Sequence, residues 1–188
     1  MPSDRFARLI GGLTLGALLA ACAAAPAREP LRSQAQVDLP RFMGTWYVIA
    51  NIPYWPERGK VATRDEYTLR ADGRIDNVYV FRNSFAGPEK RWHGVSRVVP
   101  GSGGAHWRVR FIWPFSADLL VLEVAPDYSW ALLGHPARRH AWIFSRTPHM
   151  EQTEYAHLRE RFRAYGYEPD ALRRIPQFPD QVGRDGFQ

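Results

Sequence analysis

The 188-residue sequence contains one cysteine, Cys22, and this scarcity excludes several kinds of protein. A single thiol cannot form a disulfide within the chain or a metal centre with several cysteine ligands. Lysine is also rare, since Lys60 and Lys90 are the only lysines among 25 basic residues. A stable core must therefore come from packing, for which seven tryptophans, eight tyrosines and ten phenylalanines supply the apolar area.

The N-terminal segment has the pattern of a lipoprotein signal peptide. A basic start and an apolar run over residues 9–19 lead into Leu19-Ala20-Ala21-Cys22. This ending resembles a bacterial lipobox, which predicts a signal peptide over residues 1–21 and attachment of acyl chains such as palmitate to Cys22. Ala23, in place of an aspartate, favours the periplasmic side of the outer membrane. An uncleaved transmembrane anchor and an ordinary secretory signal are the alternatives.

Composition divides the rest of the chain into three parts. Residues 22–37 are small, polar and proline-containing, which predicts a flexible tether. Residues 38–178 are predicted to form one folded domain, and residues 179–188 a frayed tail. The formal charge of +6 favours contact with anionic lipid over nucleic acid in an exported protein. A scattered, solvated charge without any partner is the alternative.

Short apolar-rich runs separated by turn residues indicate the fold. In residues 106–113 aromatic and aliphatic side chains alternate with His106, Arg108 and Arg110, as in a strand with one buried face. Asp72-Gly73 favours a hairpin turn. The pattern predicts an all-β fold, either an antiparallel sandwich or an eight-stranded antiparallel up-and-down β-barrel. The predicted strands are residues 46–52, 65–70, 74–82, 91–99, 106–113, 119–124, 128–134 and 141–146.

The spacing becomes helical after the eighth predicted strand. Apolar side chains recur three or four positions apart, which predicts an amphipathic α-helix over about residues 149–165. Gly166 is expected to end this helix. Residues 119–124 are apolar on both faces, so we expect one face of that strand to lie under the helix. Residues 171–178 are expected to add a short final strand.

Two motifs resemble those of the lipocalin family. Gly44-Thr45-Trp46 matches the family's G-x-W element, and Ser145-Arg146-Thr147-Pro148 ends the eighth strand where the family places an arginine. With the lipobox and the helix, they make residues 38–178 similar to the bacterial outer-membrane lipocalins, relatives of apolipoprotein D. The chain departs from the family pattern at Ala125-Pro126-Asp127-Tyr128, where Thr-Asp-Tyr is common.

The resemblance implies a structural motif and a function. Gly44, Trp46 and Arg146 form the motif, with Trp46 closing one end of the barrel and the Arg146 guanidinium lying across its ring. An eight-stranded barrel has room for one small ligand. We expect an outer-membrane-anchored protein that binds lysophospholipids or fatty acids for envelope lipid transport or maintenance, without a cofactor or enzymatic activity.

Candidate ligand-binding residues are the aromatic side chains expected inside the barrel or at its mouth. They are Tyr54, Trp55, Tyr67, Tyr79, Phe111, Trp113 and Trp142. Plain core filling is the alternative, and the two loop aromatics would either line the mouth or plug it. Arg58, Lys60 and Arg64 lie near the first large loop and are candidate partners for a ligand carboxylate or phosphate. An ordinary solvated surface is the alternative for these cations.

Two other kinds of function have weaker support in the sequence. No G-x-S-x-G elbow or Ser-His-Asp order indicates a hydrolase, and the strand residues Glu66 and Glu123 are expected to face outward. His135 and His140 flank a turn without the spacing of a closed zinc site, so no metal is expected. Solvated or core histidines are the favoured interpretation.

A protein–protein interaction module in the envelope is the main alternative function. In that case the barrel would be a scaffold only, and a homodimer would be one arrangement. The basic helix residues Arg159, Arg161 and Arg163 would then contact a partner. A filled barrel interior would favour this alternative over a carrier.

Overall fold

The computed structural model describes residues 28–111 and 114–188, which form a closed antiparallel barrel. Its strands are β1 (Gly44–Ile52), β2 (Val61–Leu69), β3 (Ile75–Arg82), β4 (Lys90–Val98), β5 (His106–Arg110), β6 (Ala117–Val124), β7 (Trp130–Gly134) and β8 (Ala141–Ser145). Neighbours in sequence pair along the sheet, and β1 pairs with both β8 and β2 to close it. The predicted eight-stranded barrel is confirmed. The signal peptide, Cys22 and Trp113 lie outside the described residues.

The alternating strand directions give the barrel two different ends. The β1–β2, β3–β4, β5–β6 and β7–β8 connections lie at one end, called the mouth here. The remaining connections lie at the other end, called the base. A four-residue helix, α1 (Leu39–Phe42), precedes β1 and also lies at the base, where Phe42 packs against Trp46.

Buried and exposed positions alternate along β2, as expected of a barrel wall. The buried positions are Val61, Thr63, Asp65 and Tyr67. The strand begins at Val61, before the predicted residues 65–70. Ala62 has a φ of 50° and the register with β3 shifts after Val61, so a bulge interrupts the pairing of the two strands there. The polar side chains around this bulge made the start of the strand look like loop.

Apolar side chains pack in two layers, one inside the barrel and one beneath the C-terminal helix. This helix, α2 (Gln152–Arg161), continues as a 3-10 turn over Phe162–Tyr165. Strand β6 contributes to both layers, because Val121 points inward while Leu120 and Leu122 contact the helix layer. The expectation that one face of this strand lies under the helix is confirmed.

The helix begins later than predicted, at Gln152 instead of residue 149. Glu151, its N-cap residue, is extended, and the Thr147 hydroxyl donates to the His149 carbonyl at 2.8 Å. These contacts keep the preceding residues out of the helix. Gly166, with a φ of 76°, ends the 3-10 turn as predicted. Among the described residues, no helix has the length and apolar character needed to cross a membrane.

Residues 28–37 run along the barrel wall, although they were predicted to be part of a flexible tether. The Leu31 amide donates to the Pro136 carbonyl at the mouth, and the Val37 amide donates to the Gly103 carbonyl at the base, both at 2.8 Å. The Ser33 hydroxyl donates to a β6 carbonyl between them. This segment is therefore a wall strap, and the prediction of a tether is wrong for these residues.

The C-terminal residues are also held, contrary to the predicted frayed tail over residues 179–188. A two-residue strand, β9 (Arg173–Arg174), pairs with β1 within the predicted final strand. The Gln188 amide donates to the Arg174 carbonyl at 2.9 Å, and the Arg174 guanidinium lies 4.8 Å from the Phe187 ring centroid. The tail is ordered because it returns to β9.

Candidate ligand-binding site

A cavity of about 610 Å³ reaches from the mouth into the barrel interior. Side chains from the β1–β2 loop and from β2, β3, β4, β5, β6 and β8 form its wall. Small-molecule sites in proteins commonly have volumes of about 300–1,000 Å³ and mostly apolar walls. The barrel interior therefore has room for one ligand, and it is not filled by its own side chains.

The base is closed by the structural motif that the sequence indicates. The Arg146 guanidinium carbon lies 3.7 Å from the Trp46 ring centroid. The guanidinium donates to the backbone carbonyls of Thr45 at 2.9 Å and Phe42 at 3.2 Å, while the Trp46 indole donates to the Phe42 carbonyl at 2.7 Å. Gly44 has a φ of 95°, and a Cβ there would lie 3.4 Å from the guanidinium. Glycine thus lets the arginine lie against the chain.

The base turn that departs from the family pattern also contacts this motif. Tyr128 has a φ of 63°, its carbonyl accepts from Arg146 at 3.3 Å, and its hydroxyl accepts from the Asp38 amide at 2.9 Å. The Arg41 guanidinium lies 4.2 Å from the Tyr128 ring centroid. The altered turn therefore joins α1 to the base.

The structure places most of the predicted wall aromatics on the cavity. Tyr54, Tyr67, Tyr79, Phe111 and Trp142 line it. Tyr54 stacks on His140, with ring centroids 3.7 Å apart, so this loop aromatic lines the wall. Trp55 does not line the cavity, because its side chain is 79% exposed on the outside of the mouth. Of the two predicted arrangements of Trp55, this exposure excludes the plug, and the side chain does not contribute to the cavity wall.

The first two predicted rim cations point away from the cavity. Arg58 is exposed on the β1–β2 loop. The Lys60 ammonium donates to Asn83 Oδ1 at 2.8 Å and lies 5.2 Å from the Phe81 ring centroid. Neither residue contributes to the cavity wall.

The third predicted rim cation, Arg64, lies on the outer face of β2. It donates to carboxylate oxygens of Glu66 and Glu89, each at 3.0 Å. Period-two alternation puts Arg64 outside because its neighbour Asp65 is inside. The predicted basic rim is therefore wrong for all three cations. Arg91 does line the cavity, but its guanidinium is also bound to Glu66 and Glu89.

The sequence reasoning missed three carboxyl groups on the cavity wall, those of Glu57, Asp65 and Asp118. Asp118 is paired with His106 Nε2 at 2.8 Å, whereas the other two have no cationic partner among the described residues. Glu57 Oε2 accepts hydrogen bonds from the Tyr54 amide at 3.1 Å and from Asn51 Nδ2 and Trp142 Nε1 at 3.2 Å. Burial raises the pKa of Glu57 to about 7, although these three donors oppose the increase. Its place on the wall depends on the 3-10 turn Trp55–Glu57, which no sequence pattern predicted.

Asp65 is the second missed carboxyl group. Its residue is 9% exposed, it lines the cavity, and it receives no hydrogen bond from the described residues. Burial, the nearby negative charge of Glu57 and that of Glu66 raise the pKa of Asp65 well above its usual value. Extending the β2 alternation back from Tyr67 would have placed Asp65 inside.

The other ionisable candidates do not form a second site. Within residues 28–111 and 114–188, no group of three His, Cys, Asp or Glu side chains could hold a metal ion. Burial lowers the pKa of both His135 and His140, which favours their neutral forms. The helix residues Arg159, Arg161 and Arg163 each pair with an acidic residue of this chain.

Comparisons with known proteins agree with this geometry. The lipocalin-like domain family matches residues 37–177. Temperature-induced lipocalin-1 of Arabidopsis thaliana is 36% identical over 152 residues, covering 75% of this chain and 80% of that protein. The outer membrane lipoprotein Blc of Vibrio cholerae is 28% identical over 161 residues, covering 85% of this chain and 93% of that protein.

A solved structure shows the same fold at lower identity. Insecticyanin from the tobacco hornworm Manduca sexta superposes with a TM-score of 0.60 and 20% identity, covering 81% of this chain and 85% of that one. This likeness concerns the barrel alone. On the domain match and the identity to the plant protein, the chain belongs to the lipocalin family, within which it resembles the bacterial Blc lipoproteins.

Proposed function

We propose that this protein carries single-chain hydrophobic ligands, such as lysophospholipids or fatty acids, for lipid transport or maintenance in a bacterial envelope. The cavity of about 610 Å³ carries the proposal, because it opens at the mouth and one of its walls is apolar. That wall includes Val109, Phe111, Leu119 and Phe144. Lipocalins are generally binding or transport proteins and not enzymes, which agrees with this function.

We also propose that acyl chains on Cys22 anchor the protein to the outer membrane. The relatives of the Blc type are named outer membrane lipoproteins, which supports this location. The wall strap adds support, because it begins at the mouth, where Arg138 donates to the Glu29 carbonyl at 2.8 Å. The six peptide units that link Cys22 to Arg28 can span at most about 20 Å. An anchored Cys22 would therefore keep the mouth close to the membrane.

The carrier function is tested by ligand titration of residues 22–188 with Cys22→Ser, which retain every described residue. A lysophospholipid and a fatty acid are added below their micellar concentrations while displacement of an apolar fluorescent probe is followed. We expect saturable binding of at least one of them. Trp142→Ala should weaken binding about tenfold, since it removes an aromatic side chain from the cavity wall.

Trp55→Ala is the matched control, because it removes the same side chain type from the outside of the mouth. We expect less than about a twofold change in this variant. A folded protein that binds neither amphiphile would contradict the carrier function and favour the interaction module.

The anchor is tested separately by fractionating cells that express the full-length chain or its Cys22→Ala variant. We expect the native protein in the outer-membrane fraction and the variant outside it. Retention of Cys22→Ala in the outer membrane would show that another segment holds the protein there.

A further inference from the structure

We propose that the cavity selects single-chain amphiphiles whose head group carries a protonated amine, and that it disfavours fatty acid carboxylates. This inference rests on the proposed carrier function and specifies the class of ligand. It follows from the unequal walls of the cavity. The wall formed by β5, β6 and β8 is mostly apolar, and its one carboxyl group, Asp118, is paired with His106. The opposite wall, formed by the β1–β2 loop, β2 and β3, contains the carboxyl groups of Glu57 and Asp65 and three tyrosine side chains.

Asp65 is the first group that lacks a partner. Its carboxyl lies on the middle of β2, with Trp46 opposite on β1 and Tyr79 opposite on β3. The residue is more than nine-tenths buried, and none of the described residues donates a hydrogen bond to it. A buried carboxylate is costly unless a cation or several donors compensate it. A ligand ammonium group in the cavity would provide both.

Glu57 provides a second acceptor on the same wall. All three of its hydrogen bonds reach Oε2, so Oε1 has no donor among the described residues. The three donors fix the orientation of the carboxyl group toward the cavity that it lines. The free oxygen can therefore accept a hydrogen bond from a bound molecule.

Two buried hydroxyl groups complete this polar wall. The Tyr54 hydroxyl is buried and has no hydrogen-bond partner in the described part of the chain, and the buried Tyr79 hydroxyl has only the Thr63 hydroxyl near it. An ammonium group has three N–H donors and no acceptor, which suits a wall of carboxyl and hydroxyl oxygens. The rings of Tyr79 and Trp92, with centroids 5.9 Å apart, also offer aromatic faces to a cation.

A ligand carboxylate would find no comparable partner on the described wall. Arg91 and His93 are the basic side chains of the described residues that line the cavity, and both Glu66 and Glu89 already bind the Arg91 guanidinium. The carboxyl groups of Glu57 and Asp65 would repel a second anion. The raised pKa of each shows that neither has a compensating cation in the free protein.

Three twelve-carbon amphiphiles that differ only in head group test the inference. Dodecylamine, dodecanol and dodecanoate are compared at about pH 8, below their micellar concentrations, by displacement of an apolar fluorescent probe from residues 22–188 with Cys22→Ser. We expect dodecylamine to bind at least about tenfold more tightly than dodecanoate, with dodecanol between them.

The variants Asp65→Asn and Glu57→Gln test the assigned carboxyl groups. Each should reduce the preference for dodecylamine over dodecanoate to less than about threefold while leaving dodecanol affinity near that of the native protein. Dodecanol thus reports whether the cavity of the variant is intact. Asp76→Asn is the matched control, because it removes the same charge from a side chain that pairs with Arg70 outside the cavity. It should keep the full preference.

The outcomes separate this inference from the carrier function. If dodecanol binds and dodecanoate binds as tightly as dodecylamine, the head-group preference is overturned and the carrier function stands. If none of the three binds to the folded protein, the carrier function itself fails. A preference that survives both Asp65→Asn and Glu57→Gln would show that other residues recognise the amine, which also overturns the assignment.

Discussion

The base and the mouth of this barrel are built from similar residue types but differ in how completely their polar groups are paired. At the base, Trp46 and Trp107 are fully buried and their indole N–H groups donate to backbone carbonyls. The Arg146 guanidinium likewise donates only to carbonyls. Along the cavity, none of the described residues donates a hydrogen bond to the Asp65 carboxyl group, and the buried Tyr54 hydroxyl has no partner among them.

This difference distinguishes a structural end from a binding end. Buried polar groups in folded proteins are nearly always hydrogen-bonded, so groups without partners need an explanation. At the base the explanation is unnecessary, because the buried polar groups of Trp46, Trp107 and Arg146 have partners within the chain. Along the cavity, a bound ligand would supply the missing partners. The comparison therefore predicts that substitutions at the base change stability, while those at the mouth change binding.

The tryptophans Trp46 and Trp55 are the extremes of this comparison, since Trp46 is fully buried at the base and Trp55 is 79% exposed at the mouth. Trp46→Ala should lower the free energy of unfolding by about 4 kcal/mol, because it leaves a cavity in a packed core and removes the ring beneath Arg146. Trp55→Ala should change it by less than about 0.5 kcal/mol, because that side chain is largely in solvent. Urea unfolding of both variants measures the difference. Equal losses of stability would contradict the division into two ends.

Much of the fold could be predicted from the sequence because strand alternation and turn residues are local signals. In β5, Trp107 and Val109 face inward and the charged neighbours face outward, as their spacing indicates. The wall strap had no such signal. Residues 28–37 lack both strand and helix periodicity, and their hydrogen bonds reach carbonyls far away in sequence. Such contacts follow from the finished barrel and from no local pattern.

The candidate site was only partly predictable for the same reason. Trp142 and Phe111 were placed on the cavity because aromatic residues on an inward strand face must meet the interior. Asp65 was missed because a charged residue in a strand is usually exposed, although the alternation from Tyr67 places it inside. Glu57 reaches the cavity through a loop turn, whose direction depends on tertiary contacts with Asn51 and Trp142.

The partly buried Glu57 on the cavity wall should make the stability of the protein depend on pH. Its pKa is raised from 4.5 to about 7, so the folded state holds the proton more tightly than the unfolded state. Stability should therefore be highest below about pH 4.5 for this group and decrease as the pH rises through 7, by up to about 3 kcal/mol. Asp65 contributes with the same sign, because its pKa is also raised.

Urea unfolding of the ligand-free protein between about pH 4.5 and 8 measures this dependence. Glu57→Gln should reduce the decrease in stability across this range, since glutamine does not titrate. The remaining change combines Asp65, which lowers stability as the pH rises, with His135 and His140, whose lowered pKa values act in the opposite direction. If the native protein and Glu57→Gln lose stability in parallel, Glu57 does not titrate in this range. Ionisation of Glu57 in the folded state would then cost less free energy than its burial indicates.

The exposed aromatic residues of the mouth should have the smallest effect on stability. They also test whether the mouth contacts a membrane. Trp55 and Phe115 are 79% and 75% exposed on the β1–β2 and β5–β6 loops, which lie on opposite sides of the mouth. Exposed aromatics of this kind favour a membrane interface, and burying one large apolar side chain contributes about 1.5–3 kcal/mol. Trp55→Ala should therefore weaken binding of residues 22–188 with Cys22→Ser to phosphatidylglycerol vesicles about tenfold, with unfolding unchanged.

Val182→Ala is the control, because Val182 is 57% exposed but lies on the C-terminal tail. If Trp55→Ala binds vesicles as tightly as Val182→Ala and the native protein, the mouth does not contact the membrane, and ligand must reach it through solution.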